Sequence, residues 1–282
     1  PAAFDPLFVS CVLWRNFSPS PVAVEYIFRN KILNALLCWM GGLSIPNFMK
    51  GNNSYKQEKG EETLQKVSNL LSEGKQVLFY PSGKLRLDNV EIVGGASGIY
   101  SLLKNNPDIH VVAIRTQGLW GSMSSRALTG KVLCLGGLIK KGFKIVLKNF
   151  IFFVPKRNVS VEMELLGDDF PRNSGRLEIN RYLEKWFNGV DEQGKLIEEP
   201  LRQVSYSFWN KKVPELSLVK TWNLPEPEKI PNNIKKHIGE EIARLTKMKI
   251  DEFNFNDLLQ TDLGMDSLDV AALISFIKYH YQ

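Results

Sequence analysis

The stretch Asp262-Leu263-Gly264-Met265-Asp266-Ser267-Leu268-Asp269 puts a serine hydroxyl on a glycine-containing loop at the point where an apolar helical pattern begins. Asp266 and Ser267 are both helix-capping types, because their side-chain oxygens can accept from the free amides of a first turn. A cap alone requires neither the preceding Asp-Leu-Gly-Met nor the Leu, Val, Leu and Ile that follow, so the loop reads as a chemical site as well as a helix start. Upstream, Ile234, Ile238, Ile242 and Leu245 recur at helical spacing, and a loop with Phe253, Phe255, Leu258 and Leu259 comes next. Residues 231–282 are therefore predicted to form part of an all-α bundle whose second helix starts at Ser267. With only these helices to close its core, that part is expected to be marginally stable.

The motif resembles that of acyl carrier protein domains, whose Asp-Ser-Leu serine bears a 4'-phosphopantetheine arm that carries an acyl chain as a thioester. The resemblance implies Ser267 as the attachment residue, 4'-phosphopantetheine as a covalent cofactor and a phosphopantetheinyl transferase as a partner. After Asp269 the helix carries no acidic residue, whereas carrier proteins commonly meet basic partners through an acidic second helix. The expected partner is the rest of this chain.

Length allows one medium domain and one small one, since 282 residues with 44% hydrophobic and 23% charged side chains can bury a full core. From Pro231 onward eight Asp and Glu outnumber six Lys and Arg, which gives −2 there and leaves +8 on residues 1–230, for the chain's net +6. A basic body with an acidic appendage suits an acidic carrier and an anionic surface as partners. Cys11, Cys38 and Cys134 have no His at metal-ligand spacing and are expected to be free, mostly buried thiols in a reducing compartment. Residues 1–282 show no run of eighteen apolar residues and no signal-peptide pattern, and a leader or membrane anchor ahead of Pro1 stays open. Pro1 without an initiator Met, and an end inside a helical pattern, read as cut termini.

The first 209 residues alternate short apolar runs with helical patterns, as α/β domains do. Strands are predicted at Val22–Phe28, Gln76–Tyr80, His110–Thr116 and Val159–Leu166, and helices at Lys31–Met40, Tyr55–Leu71, Ser97–Lys104, Leu133–Phe152 and Arg176–Phe187. Residues 210–230 hold Pro214, Pro225 and Pro227 with few large apolar residues and read as a linker.

Two local patterns in this first domain can carry chemistry. Asp5 precedes Pro6, where it serves as a helix cap or turn residue. Phe79-Tyr80-Pro81-Ser82-Gly83-Lys84 ends a strand in a turn that exposes backbone amides and is followed by Arg86. Gly83 permits close approach and the two cations can neutralise a phosphate, although the same residues also suit an ordinary solvated turn.

Together these patterns resemble the glycerophospholipid acyltransferase family. Pro1 to Pro6 is similar to its first motif, a His followed by four residues and an Asp, so that Asp5 matches the aspartate and the residue before Pro1 would be the histidine. Gly41-Gly42-Leu43-Ser44-Ile45-Pro46 stands at the second motif, Phe79 to Lys84 at the third, and His110-Val111-Val112-Ala113-Ile114 at the fourth. The resemblance implies an α/β domain with a mixed sheet flanked by helices, followed by the partial carrier bundle. It implies transfer of an acyl group from an acyl thioester donor, on a carrier or coenzyme A, to the hydroxyl of a lysophospholipid or acyl-glycerophosphate acceptor. The histidine would act as base, Asp5 would orient it, and Ser82, Gly83, Lys84 and Arg86 would hold the acceptor phosphate. The chemistry is sensible, because an alcohol needs a positioned base and a carboxylate partner raises imidazole basicity. His110, His237 and His280 have no Asp at that spacing and receive no catalytic role.

Three positions depart from the family pattern. Ser82 stands for its glutamate, Asn47 lies near where its second motif has arginine, and the fourth motif lacks its proline. With Gly118-Leu119-Trp120-Gly121-Ser122, Asp169-Phe170-Pro171-Arg172 and Asn180-Arg181-Tyr182-Leu183, the Pro-Ser-Gly variant looks like the acyltransferase part of bacterial multidomain proteins that add a carrier and an adenylating, acyl-activating domain. A contrasting expectation is a catalytically inactive docking module whose only chemistry is acyl carriage on Ser267.

Between Ile109 and Val161 there is no Asp or Glu, against nine Lys and Arg. Within that segment Lys140, Lys141, Lys144 and Lys148 interleave with large apolar residues, the composition of a helix lying on an anionic membrane surface. Such a helix is too polar to span, so peripheral attachment to the inner face of the cell membrane from the cytoplasm is expected. No zinc pattern, glycine-aromatic RNA motif or recognition-helix arrangement accompanies the charge, which argues against nucleic acid.

Overall fold

A computed structural model of the protein describes residues 3–47, 54–128, 130, 135–154, 156–214 and 230–281. The chain is a mixed α/β protein with eight α-helices among the described residues. They are α1 (Asp5–Leu13), α2 (Lys31–Trp39), α3 (Ser54–Ser72), α4 (Gly98–Asn105), α5 (Leu135–Lys148), α6 (Arg176–Asn188), α7 (Asn232–Thr246) and α8 (Ser267–Tyr281). The strands are β1 (Ser20–Val24), β2 (Leu43–Ile45), β3 (Val77–Leu78), β4 (Val112–Gln117) and β5 (Ser160–Leu165).

Among the described residues the expected mixed sheet is divided into two small sheets, one parallel and one antiparallel. The parallel one has the order β2-β1-β3, with Val22 opposite Leu43 and Ser20 opposite Val77. The other is the antiparallel pair β4-β5, running from Val112 opposite Leu165 to Gln117 opposite Ser160. β3 is only two residues long because the chain turns away at Pro81, which has no amide to donate to a ladder. β1 stops short of the predicted Phe28, as Ile27–Arg29 close a 3-10 turn.

The core of the body lies between α4, β4 and α6, where Val93, Leu103, Ala113, Leu166, Phe170, Ile179 and Leu183 are buried together. α5 ends at Lys148 and not at the expected Phe152, and its predicted first residues Leu133 and Cys134 lie outside the described ones. The stop is the fully buried Asn149, whose Nδ2 donates to Ile145 O (2.7 Å) and Tyr206 O (3.1 Å) while its Oδ1 accepts from Phe208 N (2.7 Å). A side chain that bonds the preceding turn and a distant segment at once diverts the chain, and Phe150 and Ile151 then take positive φ. Cys11 and Cys38 are exposed, against the expectation of burial, because they fall on the outward faces of α1 and α2.

Most of the expected linker lies outside the described residues, and Gln203 Nε2 ties its first part back by donating to Pro214 O (2.7 Å). In the C-terminal segment α7, α8 and the loop between them bury Ile242, Phe253, Leu263, Met265 and Leu273. Leu258, Ile274 and Tyr279 remain exposed, as an incompletely covered small core requires. Among the described residues no helix is long and apolar enough to cross a membrane.

Candidate functional site

A cavity of about 1090 Å³ stands where a continuous sheet would have run, lined by β3 and the turn after it on one side and by β4 on the other. Val9, Leu13, Val67, Leu102, Ala113 and Leu183 make much of its wall apolar. Its size is at the upper end for small-molecule sites, roughly 300–1,000 Å³, so it fits a ligand the size of a lipid.

Polar groups converge on one part of the wall. Asp5, the first residue of α1, is 4% exposed, because the Asp5, Val9, Leu13 face of that helix turns inward. Pro6 suits the first turn, where its missing amide costs nothing. Asp5 therefore neither caps by side chain nor meets solvent. Burial raises its pKa above the usual carboxylate range, against the opposing pull of Thr116 and Tyr80 beside it. Burial, and then the charge of Asp5, also push the Tyr80 phenol far up. Asp5 Oδ1 and the Tyr80 hydroxyl are buried, yet close no hydrogen bond of normal geometry. Such groups are costly unless something uses them.

The expected phosphate cradle is split. Ser82 and Arg86 line the cavity, whereas Gly83 and Lys84 do not. The Ser82 hydroxyl lies 3.2 Å from both Lys84 O and Glu91 Oε1. Arg86 pairs with Glu199 and stacks over Trp120, 4.6 Å from its centroid. Lys84 Nζ donates to Gln260 Oε1 of the C-terminal segment at 3.0 Å.

Four wall residues escaped the sequence reading of the site. Tyr80 sits inside the quoted motif, and Thr116 closes a predicted strand. Glu91 gave no local signal, although it lines the cavity with its Oε1 3.2 Å from the Ser82 hydroxyl. Arg126 was counted only within the one-signed segment. It lines the cavity, its Nε is buried without a partner, and it makes no ion pair among the described residues. Ala3 N donates to Ser124 O at 2.9 Å, which brings the Ser122–Arg126 turn beside the start of α1.

His110 also reaches the cavity wall. It precedes Thr116 by six residues of nearly extended chain, roughly 20 Å at about 3.3 Å each, so it is not the base beside Asp5. Nothing in the structure gathers three His, Cys, Asp or Glu into a metal site among the described residues.

At the head of α8 the cap is Asp266. Its Oδ1 accepts from Asp269 N (3.0 Å) and Asp269 Oδ2 accepts from Asp266 N (2.9 Å), a reciprocal capping box. Ser267 is thus the first helical residue and is not needed as the cap. On α5, Lys140, Lys144 and Lys148 form one exposed row beside Ile139, Phe143 and Leu147, which are 55, 64 and 56% exposed. Lys141 turns aside, with Nζ 5.5 Å from the centroid of the Tyr206 ring.

Compared with protein-family models, curated proteins and solved structures, the chain has no match.

Proposed function

We propose that the protein transfers an acyl group from a thioester, carried on 4'-phosphopantetheine at Ser267 or on coenzyme A, to the free hydroxyl of a lysophospholipid or acyl-glycerophosphate. The observation that carries this reading is the buried carboxylate of Asp5, set beside Tyr80 and Thr116 at the polar part of a lipid-sized apolar cavity. In the proposed reaction a histidine just before Pro1 takes the proton of the acceptor hydroxyl. Asp5 fixes its tautomer and stabilises its charge, the hydroxyl oxygen attacks the thioester carbonyl, and the thiol leaves with the proton. Apolar wall residues take the acyl chain. Arg126 meets the acceptor phosphate, since Arg86 and Lys84 already have partners within the chain. The exposed Lys140, Lys144 and Lys148 row, with its apolar neighbours, holds the body on an anionic membrane from the cytoplasmic side.

The test is acylation of a lysophospholipid in vesicles by the full-length protein. Asp5→Asn should abolish product, a loss of at least about 10²-fold, with vesicle binding intact; unchanged turnover rejects the assignment.

A second reading is favoured by the internal engagement of Ser82, Lys84 and Arg86, which leaves three of the four expected acceptor contacts occupied. In that reading the body is a docking module, and loading of Ser267 for a neighbouring acyl-activating domain is its only chemistry. A wild-type protein that becomes loaded but acylates no acceptor would select it.

A further inference from the structure

The body and the carrier segment meet on a surface organised by α6. The nearly buried Asn180 donates to Gly94 O (2.6 Å) and Ala96 O (2.9 Å), and Glu184 accepts from Val93 N and Gly94 N, both at 2.7 Å. These four bonds fix the 93–96 loop. Its Val93 lines the cavity, while its two glycines meet the carrier segment. A Cβ on Gly95 would stand 2.2 Å from Gly264 O, and one on Gly94 3.2 Å from Gln260 O. Gly264, at φ +64°, packs against Leu177, the second residue of α6.

Arg176, the first residue of α6, donates through NH2 to Gly264 O at 2.7 Å. Its guanidinium lies 3.6 Å from Asp266 Oδ2 and 3.7 Å from Asp269 Oδ2, the two carboxylates on either side of Ser267. A cation in a first turn opposes the helix macrodipole, so Arg176 is poorly placed for α6 itself. The carrier carboxylates offset that placement.

We infer that the Gly94-Gly95 loop and the head of α6 form a dock for the chain's own Asp262–Asp269 loop, with Arg176 as the positioning residue that reads Asp266 and Asp269. Charge is complementary, since the body carries +8 and the carrier segment −2. The contact is also selective by shape, because the body offers glycine backbone where the carrier offers glycine backbone. The docked loop sits on the outer side of a turn whose inner residue is part of the cavity wall, the position needed to deliver an acyl arm from Ser267. That purpose rests on the acyl-transfer reading; the dock itself does not.

Two variants of the full-length protein test it, by NMR relaxation of backbone amides and by the ratio of product formed from the Ser267-borne acyl group to product formed from soluble acyl-CoA. Arg176→Glu removes the reader without harming α6, as a carboxylate suits a first turn. Gly95→Val fills the contact at a residue without positive φ. In the wild type the carrier segment should tumble with the body. In both variants it should tumble about twofold faster, as an undocked domain does, and the donor ratio should fall about tenfold, close to 1.4 kcal/mol. Independent tumbling in the wild type, or unchanged tumbling in both variants, overturns the dock. Faster tumbling with an unchanged donor ratio overturns its role in delivery. Absence of transfer from either donor refutes the acyl-transfer reading, and the relaxation data still decide the dock.

Discussion

Arg86 and Glu199 close an ion pair across 113 residues of sequence, with side chains 12 and 13% exposed, and the second oxygen of Glu199 accepts from Gly118 N at 2.7 Å. The pair joins the turn after β3, the end of β4 and the segment ahead of the linker. Removing one partner from such a pair leaves an uncompensated charge. Arg86→Ala should therefore cost about 3–5 kcal/mol, read as a lower urea midpoint. Arg86→Lys should recover only part of it, because lysine has no planar group to stack on Trp120.

Arg126 should behave in the opposite way. With no ion pair to lose among the described residues and a buried Nε that has no partner, Arg126→Ala should not lower the unfolding free energy measured in urea. It should raise KM for an acyl-glycerophosphate about tenfold at nearly constant kcat, the signature of lost ground-state binding. An unchanged KM would remove Arg126 from the acceptor site.

Asp5 makes stability depend on pH. Burial raises its folded pKa above the unfolded value, so the folded protein holds the proton more tightly and this contribution is most favourable below the unfolded pKa, near 4. It declines as pH rises towards the folded pKa. Asp5→Asn has no such decline and should be more stable than wild type at pH 7, by about 1–3 kcal/mol, while inactive. Urea midpoints of both proteins at pH 4 and pH 7 measure the difference; equal pH dependence would contradict the assignment.

Exchanging Lys140, Lys144 and Lys148 for Gln should weaken binding to anionic vesicles at low salt. Each cation contributes about 1 kcal/mol, so the loss is on the order of 100-fold. Binding to neutral vesicles should not change, whereas Phe143→Asp should weaken both. Sedimentation with vesicles of each composition distinguishes the two effects.

Period and punctuation made much of this architecture legible. Ile234, Ile238 and Ile242 foretold α7, and α8 begins at Ser267 as its loop indicated. By contrast, α1 has apolar residues on both faces: Val9 and Leu13 are buried while Leu7, Phe8 and Val12 are exposed, so no helical period shows. Leu43–Ile45 is too short to alternate. Asp5 was singled out by motif, but its neighbours Tyr80, just past β3, and Thr116, on β4, lie far along the chain, and no local pattern pairs them. The same holds for Asn149, whose partners at Tyr206 and Phe208 end α5 from a distance.

The capping box at Asp266 and Asp269 has a consequence for how the serine is presented. One pair of carboxylates both fastens the first turn of α8 and engages Arg176. Closure of the interface and order in that turn are therefore thermodynamically coupled, and by reciprocity each strengthens the other by an equal free energy. Seated on the body, the turn that contains Ser267 is at its stiffest. Released, it loosens, and under the proposed acyl-carrier reading this is the form that the modifying enzyme would reach.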